Sequence, residues 1–202
     1  TRSYGANRAD QWVSAGERSW QQQEPTWGIG AVPESSVGML PADMTGQASI
    51  ELGCGTAYVS GWLARRGATV TGIDNSANQL ATARRLADLH GVAITLLHGN
   101  AESVPLPDES FDLAISEYGA AIWCDPLTWI PEAYRLLKPG GELRFLGTHP
   151  IALVATPLSG AASDTTLHRD YFDLHRLDWR DAEIEPGGIE FNLSHAAWHR
   201  LF

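Results

Sequence analysis

Short apolar runs alternate with stretches of helical periodicity along the middle of the chain. The runs are "ASIEL", "TVTGID", "AITLLHG", "FDLAISE" and "ELRFLGT", and each reads as a strand. Between them, "AYVSGWLARRG" places Val59, Trp62 and Leu63 on one helical face and stops at Gly67. "SANQLATARRLADLHG" has Ser76 as N-cap, Leu80, Ala83 and Ala87 facing inward, and Gly91 as its end. In "TWIPEAYRLL" Pro131 belongs in a first turn, which starts that helix near Thr128, and "KPGG" is the turn that ends it. Strands alternating with helices predict an α/β fold: a mostly parallel sheet with helices on both faces, joined by right-handed crossovers.

The flanks read differently. "ANRADQWVSAGERSWQQQ" predicts a helix with Trp12, Gly16 and Trp20 on one stripe, followed by the loop "EPTWGIGAVPESS". After Thr148 the periodicity fades into a long irregular stretch of the kind that forms lids and binding loops. Near the end "IEFNLS" reads as a strand and "HAAWHRLF" as a helix capped by Ser194. One domain is expected, in three segments: 1–44, 45–148 and 149–202.

Composition narrows the function classes. The 202 residues carry a formal charge of −10, which argues against a broad phosphate-binding surface and so against nucleic acid. The pairs Arg65–Arg66 and Arg84–Arg85 are expected on solvated helix faces. Cys54 and Cys124 lie outside any zinc-ligand spacing, so no metal is expected and a reducing, cytoplasmic setting is the simplest reading. No signal-peptide pattern is visible. The apolar stretch "FLGTHPIALVATPLSGAA" is broken by His149, Pro150 and Pro157, a poor membrane span. The chain starts at Thr1 and stops within a helical pattern, which leaves open whether it is a fragment or the ordered part of a longer protein.

"ELGCGTAYVSGWLARRGATVTGID" nearly spells a dinucleotide fingerprint. Gly53 and Gly55 follow the first strand, where glycines allow unusual dihedrals and close approach of a ligand. Asp74 ends the second strand, where a carboxylate can receive both ribose hydroxyls. Tyr58, however, stands where the third glycine would allow close packing around a pyrophosphate. The loop therefore points to an adenosine-containing cofactor without one.

Together with "GNAESVPLPDESFDLAIS" and "EAYRLLKPGGELRF", this stretch resembles the class I S-adenosylmethionine-dependent methyltransferases, with bacterial quinone-biosynthesis enzymes as the nearest look-alikes. The resemblance covers about residues 45–148. It implies a Rossmann-like fold, S-adenosylmethionine as cofactor and S-adenosylhomocysteine as product. It places Glu51, Gly53, Cys54 and Gly55 against the methionine part, Asp74 on the ribose and Asn75 beside the adenine. The family's loop after strand three is often G-D-A-E. Here Asn100 replaces the aspartate that usually accepts from the adenine amino group, Ala101 supplies a backbone N–H, and Glu102 follows. Glu117, at the end of strand four, would face the transferable methyl with its carbonyl toward the ammonium. The resemblance also implies that the N-terminal segment shapes the substrate pocket, with Tyr4, Trp12 and Trp27 near the cavity and Tyr118 beside it. Family members end in a sixth and seventh strand, which this chain is expected to lack.

Methyl transfer from a sulfonium needs alignment and water exclusion more than a dedicated catalytic group. If the acceptor carries a proton, His149, directly after the fifth strand, is the candidate base. The expected function is methyl transfer to a small molecule, with no nucleic-acid or membrane partner. The competing readings are a cofactor-binding protein without turnover, an NAD-dependent oxidoreductase, and another transferase on the same fold.

Overall fold

A computed structural model describes residues 14–184 and 187–202. Tyr4 and Trp12 lie outside the described residues. The elements run in chain order from helix α1 (14–20) through a small hairpin of β1 (Thr26–Trp27) and β2 (Val32–Pro33) to the short helix α2 (Glu34–Val37). Then come β3 (Ala48–Leu52), α3 (Tyr58–Arg65), β4 (Thr69–Asp74), α4 (Ala77–Leu89), β5 (Thr95–His98), β6 (Phe111–Glu117), α5 (Ala120–Trp123), α6 (Pro126–Leu136) and β7 (Leu137–Leu146). The tail holds α7 (Pro150–Val154), β8 (Arg176–Asp178), β9 (Ile189–Phe191) and α8 (His195–His199).

The central sheet has the order β5-β4-β3-β6-β7, every neighbouring pair parallel. Parallel strands need crossovers, and the helices that supply them cover both faces. Along β6, Leu113 and Ile115 join Val59 and Leu63 of α3 with Leu40 and Met44. Ala114, between them, faces Trp129, Ala133 and Leu136 of α6. Period-2 alternation thus feeds two separate cores. Each fully buried large apolar side chain contributes roughly 1.5–3 kcal/mol, and Leu63, Ile115, Trp129 and Leu136 are among them.

Helix α4 follows its sequence signals: Ser76 accepts from the Gln79 N–H, and Leu80, Ala83 and Ala87 are buried. Helix α6 corrects an expectation. It starts at Pro126, capped by Asp125, which accepts from the Leu127 N–H. Pro131 therefore sits inside the helix rather than in its first turn. The helix tolerates it because Pro131 and Leu127, whose carbonyl loses its partner, both lie on the exposed side, where water can replace the bond. The "KPGG" turn is also corrected: β7 begins at Leu137, directly after α6. Its register on β6 jumps from Phe111↔Leu137 to Leu113↔Glu142, so Lys138–Gly141 bulge out of the strand. The pair Arg65–Arg66 is not a solvated patch. Arg66 donates to Glu34 and to the Leu40 and Pro41 carbonyls, and the Arg65 guanidinium lies over Trp20 and Trp62.

The tail is more ordered than its sequence suggests. Strands β8 and β9 pair antiparallel as a separate hairpin, and α8 is capped by Ser194 as expected. Trp198 and Phe202 pack on Phe145 of β7, covering one face of that edge strand. No helix among the described residues is long and apolar enough to cross a membrane.

Candidate functional site

The sheet order reverses at β3, whose neighbours β4 and β6 come from opposite directions along the chain. In open parallel sheets a crevice forms at that reversal, above the carboxyl ends of the strands. Here those ends deliver Gly53–Gly55, Asp74, Asn100–Glu102, Glu117–Tyr118 and Gly147–His149 to one edge.

The two glycines of the first turn have different duties. Both have left-handed backbones, with φ of 74° at Gly53 and 51° at Gly55. A Cβ on Gly53 would stand 2.5 Å from the Ala120 nitrogen, and one on Gly119 would stand 2.2 Å from the Gly53 oxygen. Gly53 is therefore small so that the loop after β6 can lie against it. A Cβ on Gly55 would meet nothing within 4 Å, so the free space above the turn is at Gly55. Ser116 braces the same junction, donating to the Leu52 carbonyl at 2.7 Å and accepting from the Ala121 N–H.

Asp74 is tied to that turn. Its Oδ2 accepts from the Gly55 N–H and its Oδ1 from the Ser76 N–H, both at 2.8 Å. A carboxylate has about four lone-pair positions, so two remain for a ligand. Glu51 is 3 % exposed and points toward α3, where Ser60 donates to it from its N–H and, at 2.5 Å, from its hydroxyl. Burial pushes its pKa up to about 8, and the nearby Glu117 and Asp74 add to the rise. Cys54 is buried in the core beside Ala57 and Leu80, and burial raises its thiol well above the usual range. It is a packing residue whose backbone belongs to the turn. Cys124, pushed up to about 12 by burial, is equally unreactive.

Tyr58 earns its place through its hydroxyl. It accepts from the Thr26 N–H and donates to Gln22 Oε1, each at 2.8 Å. Helix α1 lies on the same turn: Gly16 faces Thr56, and the buried Trp20 donates to the Thr56 carbonyl and rests on Gly61. The N-terminal segment is thus clamped over the start of α3.

The β1–β2 hairpin reaches the opposite side of the crevice. Glu117 Oε1 accepts from the Gly28 N–H at 3.0 Å, and burial raises its pKa. The Tyr118 ring, held by a left-handed backbone with φ of 50°, lies beside Gly28. Trp27, expected on the cavity wall, is instead 3 % exposed in the core under Leu40 and Met44. Its indole N–H donates at 2.7 Å to Glu34, which also receives the Met39 and Leu40 N–H groups and Arg66. A buried indole needs that partner, and the pairing fixes the ring within the core.

At the carboxyl ends of β4 and β5, Asn75 is exposed, and its carbonyl meets His98 at 3.0 Å. Asn100 Oδ1 accepts from the Glu102 N–H, closing a local turn, and keeps one lone pair. Ala101 is buried. Glu102 receives the Asp125 N–H at 2.7 Å, and Asp125 in turn pairs with His175 of the tail. His149 caps α7, its Nδ1 accepting from the Ile151 N–H, and its ring stands edge-on to His195 with centroids 5.0 Å apart. The capping bond leaves Nε2 as its free nitrogen.

Glu190 and Thr148 were not legible as site residues from the sequence. Thr148 donates to Glu190 Oε1 at 2.8 Å, a contact 42 residues apart that no local pattern announces. Two clefts lie elsewhere: one of about 300 Å³ in the tail around Arg169, Leu177 and Trp179, another of about 450 Å³ between α4 and β5. Neither is lined by the glycine turn or Asp74, so neither is the crevice described above.

Residues 50–145 match the family described as a methyltransferase domain. The chain is 40% identical over 105 residues to a demethylmenaquinone methyltransferase of Listeria welshimeri, a match covering 49% of this chain and 44% of that protein. It is 36% identical over 104 residues to the chloroplastic 2-methyl-6-phytyl-1,4-hydroquinone methyltransferase 2 of Oryza sativa subsp. japonica, over 50% of this chain and 29% of that one. The chain spans less than half the length of these curated relatives. A solved S-adenosylmethionine-dependent methyltransferase from Mesorhizobium loti aligns with a TM-score of 0.68 at 25% identity, covering 86% of this chain and 80% of that one.

Proposed function

We propose that this chain, whose residues 50–145 form a class I S-adenosylmethionine-dependent methyltransferase domain, transfers a methyl group from that cofactor to a small-molecule acceptor. The observation that carries the reading is the pairing of open space at Gly55 with a half-satisfied carboxylate at Asp74. The first admits a ligand against the backbone, and the second offers two lone pairs to a ribose diol. Asn75 and Asn100–Glu102 stand beside the adenine. Glu117 supplies negative potential where the cofactor carries its ammonium and sulfonium charges.

When bound, the cofactor supplies an already activated methyl group. The chain's own residues hold and align it. The N-terminal clamp through Tyr58 and Trp20 and the hairpin anchored on Glu117 close the crevice from two sides and exclude water. His149 is placed at the acceptor end with Nε2 available for a proton. The acidic balance speaks for a small, non-nucleic-acid acceptor, and two unpaired cysteines fit a cytoplasmic setting.

Calorimetry with S-adenosylhomocysteine and with NAD tests the reading: the first binds and the second does not. Tighter binding of NAD would sink it. Asp74→Ala weakens S-adenosylhomocysteine by roughly 1–3 kcal/mol, with a melting curve to confirm that the variant folds. An unchanged affinity would remove the ribose role.

A further inference from the structure

Glu190 lies on β9, outside the matched domain, yet its side chain reaches the carboxyl edge of the sheet. Thr148, two residues past the end of β7, donates to its Oε1 at 2.8 Å, and the Trp179 indole donates to its Oε2 at 3.1 Å. The position is held firmly. Asn192, 3 % exposed and two residues on, donates from its amide to the Thr148 carbonyl at 2.7 Å and accepts from the Trp198 indole. Gly188 of the same hairpin lies against Trp123 at the end of α5, the helix that follows Tyr118. Each Glu190 oxygen has one donor and keeps room for another. Two further groups feel its charge: Tyr118, whose phenol it helps to raise, and Arg169, stacked on Trp179 and bonded to the Leu153 carbonyl.

We infer that Glu190 and Tyr118 form the acceptor subsite, with the Glu190 carboxylate receiving a hydroxyl or N–H of the methyl acceptor and the Tyr118 ring flanking it. This rests on the methyl-transfer reading above. The chemistry of the walls selects the acceptor class. Tyr118 is tied to the end of β7 by its N–H bond to the Leu146 carbonyl at 2.9 Å, and the half-buried carboxylates Glu117 and Glu190 both act on it; a partly desolvated carboxylate repels an anionic ligand. The subsite therefore takes uncharged or cationic hydrogen-bond donors and rejects carboxylated or phosphorylated ones. Both donors to Glu190 are neutral, so its negative charge is oriented by them and left available to the ligand.

The test uses the full chain saturated with S-adenosylhomocysteine and three ring compounds: methylhydroquinone, its dimethyl ether, and 2,5-dihydroxybenzoate. Dissociation constants come from calorimetry or ligand-observed NMR. Methylhydroquinone should bind about tenfold or more tighter than either of the others, since only it combines a donor with neutrality. Glu190→Gln should weaken methylhydroquinone about tenfold and leave S-adenosylhomocysteine binding unchanged. Equal binding of all three compounds, tightest binding of the carboxylate, no binding of methylhydroquinone, or an unaffected Gln variant would each overturn the assignment. The three-compound comparison needs no variant, so it decides the question even if Glu190→Gln misfolds. Binding of S-adenosylhomocysteine alone reports on the methyl-transfer reading separately.

Discussion

The two walls of the crevice are built in different ways. The proposed cofactor wall comes from β3, the glycine turn and the end of β4, where a few residues close in sequence meet through backbone geometry. Gly53 fits against Gly119, and Asp74 caps Gly55 and Ser76. The proposed acceptor wall is assembled from the N-terminal hairpin, Glu117–Tyr118 and the tail, through side-chain bonds such as Gly28–Glu117 and Thr148–Glu190 that span 89 and 42 residues. The first wall accepts almost no change in shape because backbone meets backbone. The second can be altered one side chain at a time, which suits a surface that must differ among relatives acting on different molecules.

The sharpest test of that contrast lies within the cofactor wall itself. Gly53→Ala forces a Cβ into the Ala120 backbone nitrogen and should cost about 2–5 kcal/mol, overpacking added to left-handed strain. Gly55→Ala meets only the backbone strain, about 1–2 kcal/mol, but fills the space assigned to the cofactor. Urea unfolding should show the larger loss for Gly53→Ala, while S-adenosylhomocysteine binding should fail in a folded Gly55→Ala. A stable Gly53→Ala protein would show that the loop after β6 is free to retreat.

On the N-terminal side, Glu34→Ala strands the Trp27 indole, two backbone N–H groups and Arg66. It should destabilise by about 3–5 kcal/mol, read by the same unfolding curves. A loss below about 1 kcal/mol would mean that Glu34 behaves as a surface ion pair and that Trp27 is held by packing alone.

Glu51 gives a pH signature to the cofactor wall. Its folded pKa, raised to about 8, lies above the unfolded carboxylate value near 4.5. Between those values the folded state holds a proton that the unfolded state has released, so its contribution to stability falls as pH rises through that window and levels off above about 8. Glu51→Gln should flatten the slope between pH 5 and 8 relative to the unaltered chain. Identical slopes would mean that Glu51 is ionised in the folded protein.

The smallest effect belongs to the acceptor wall. His149→Ala removes the cap of α7 and should cost about 1 kcal/mol while leaving S-adenosylhomocysteine affinity intact. If it also slows transfer to a protic acceptor, Nε2 takes part in the chemistry. If turnover is unchanged, the imidazole is a cap alone.

The five strands and their mostly parallel pairing, the inner faces of α3 and α4, and the turn at Gly53–Gly55 were all legible in the residues. Each depends on neighbours within one element or one turn, where periodicity and glycine dihedrals leave few options. The family resemblance was legible for the same reason. The start of α6 was misread because an internal proline is costly only where its lost hydrogen bond cannot be replaced, and exposure of that face is a tertiary fact. The bulge at Lys138–Gly141 likewise depends on β6 continuing to pair on both sides of it.

Local pattern thus specified which strands form and where the glycine turn opens space above the sheet. Tertiary contact decided what Tyr58, Trp27 and Arg66 do, since their partners lie 7 to 36 residues away. It also decided that Glu190 stands at the crevice at all. A half-buried carboxylate takes its meaning from the donors around it, and those donors come together only when the tail folds back onto the sheet.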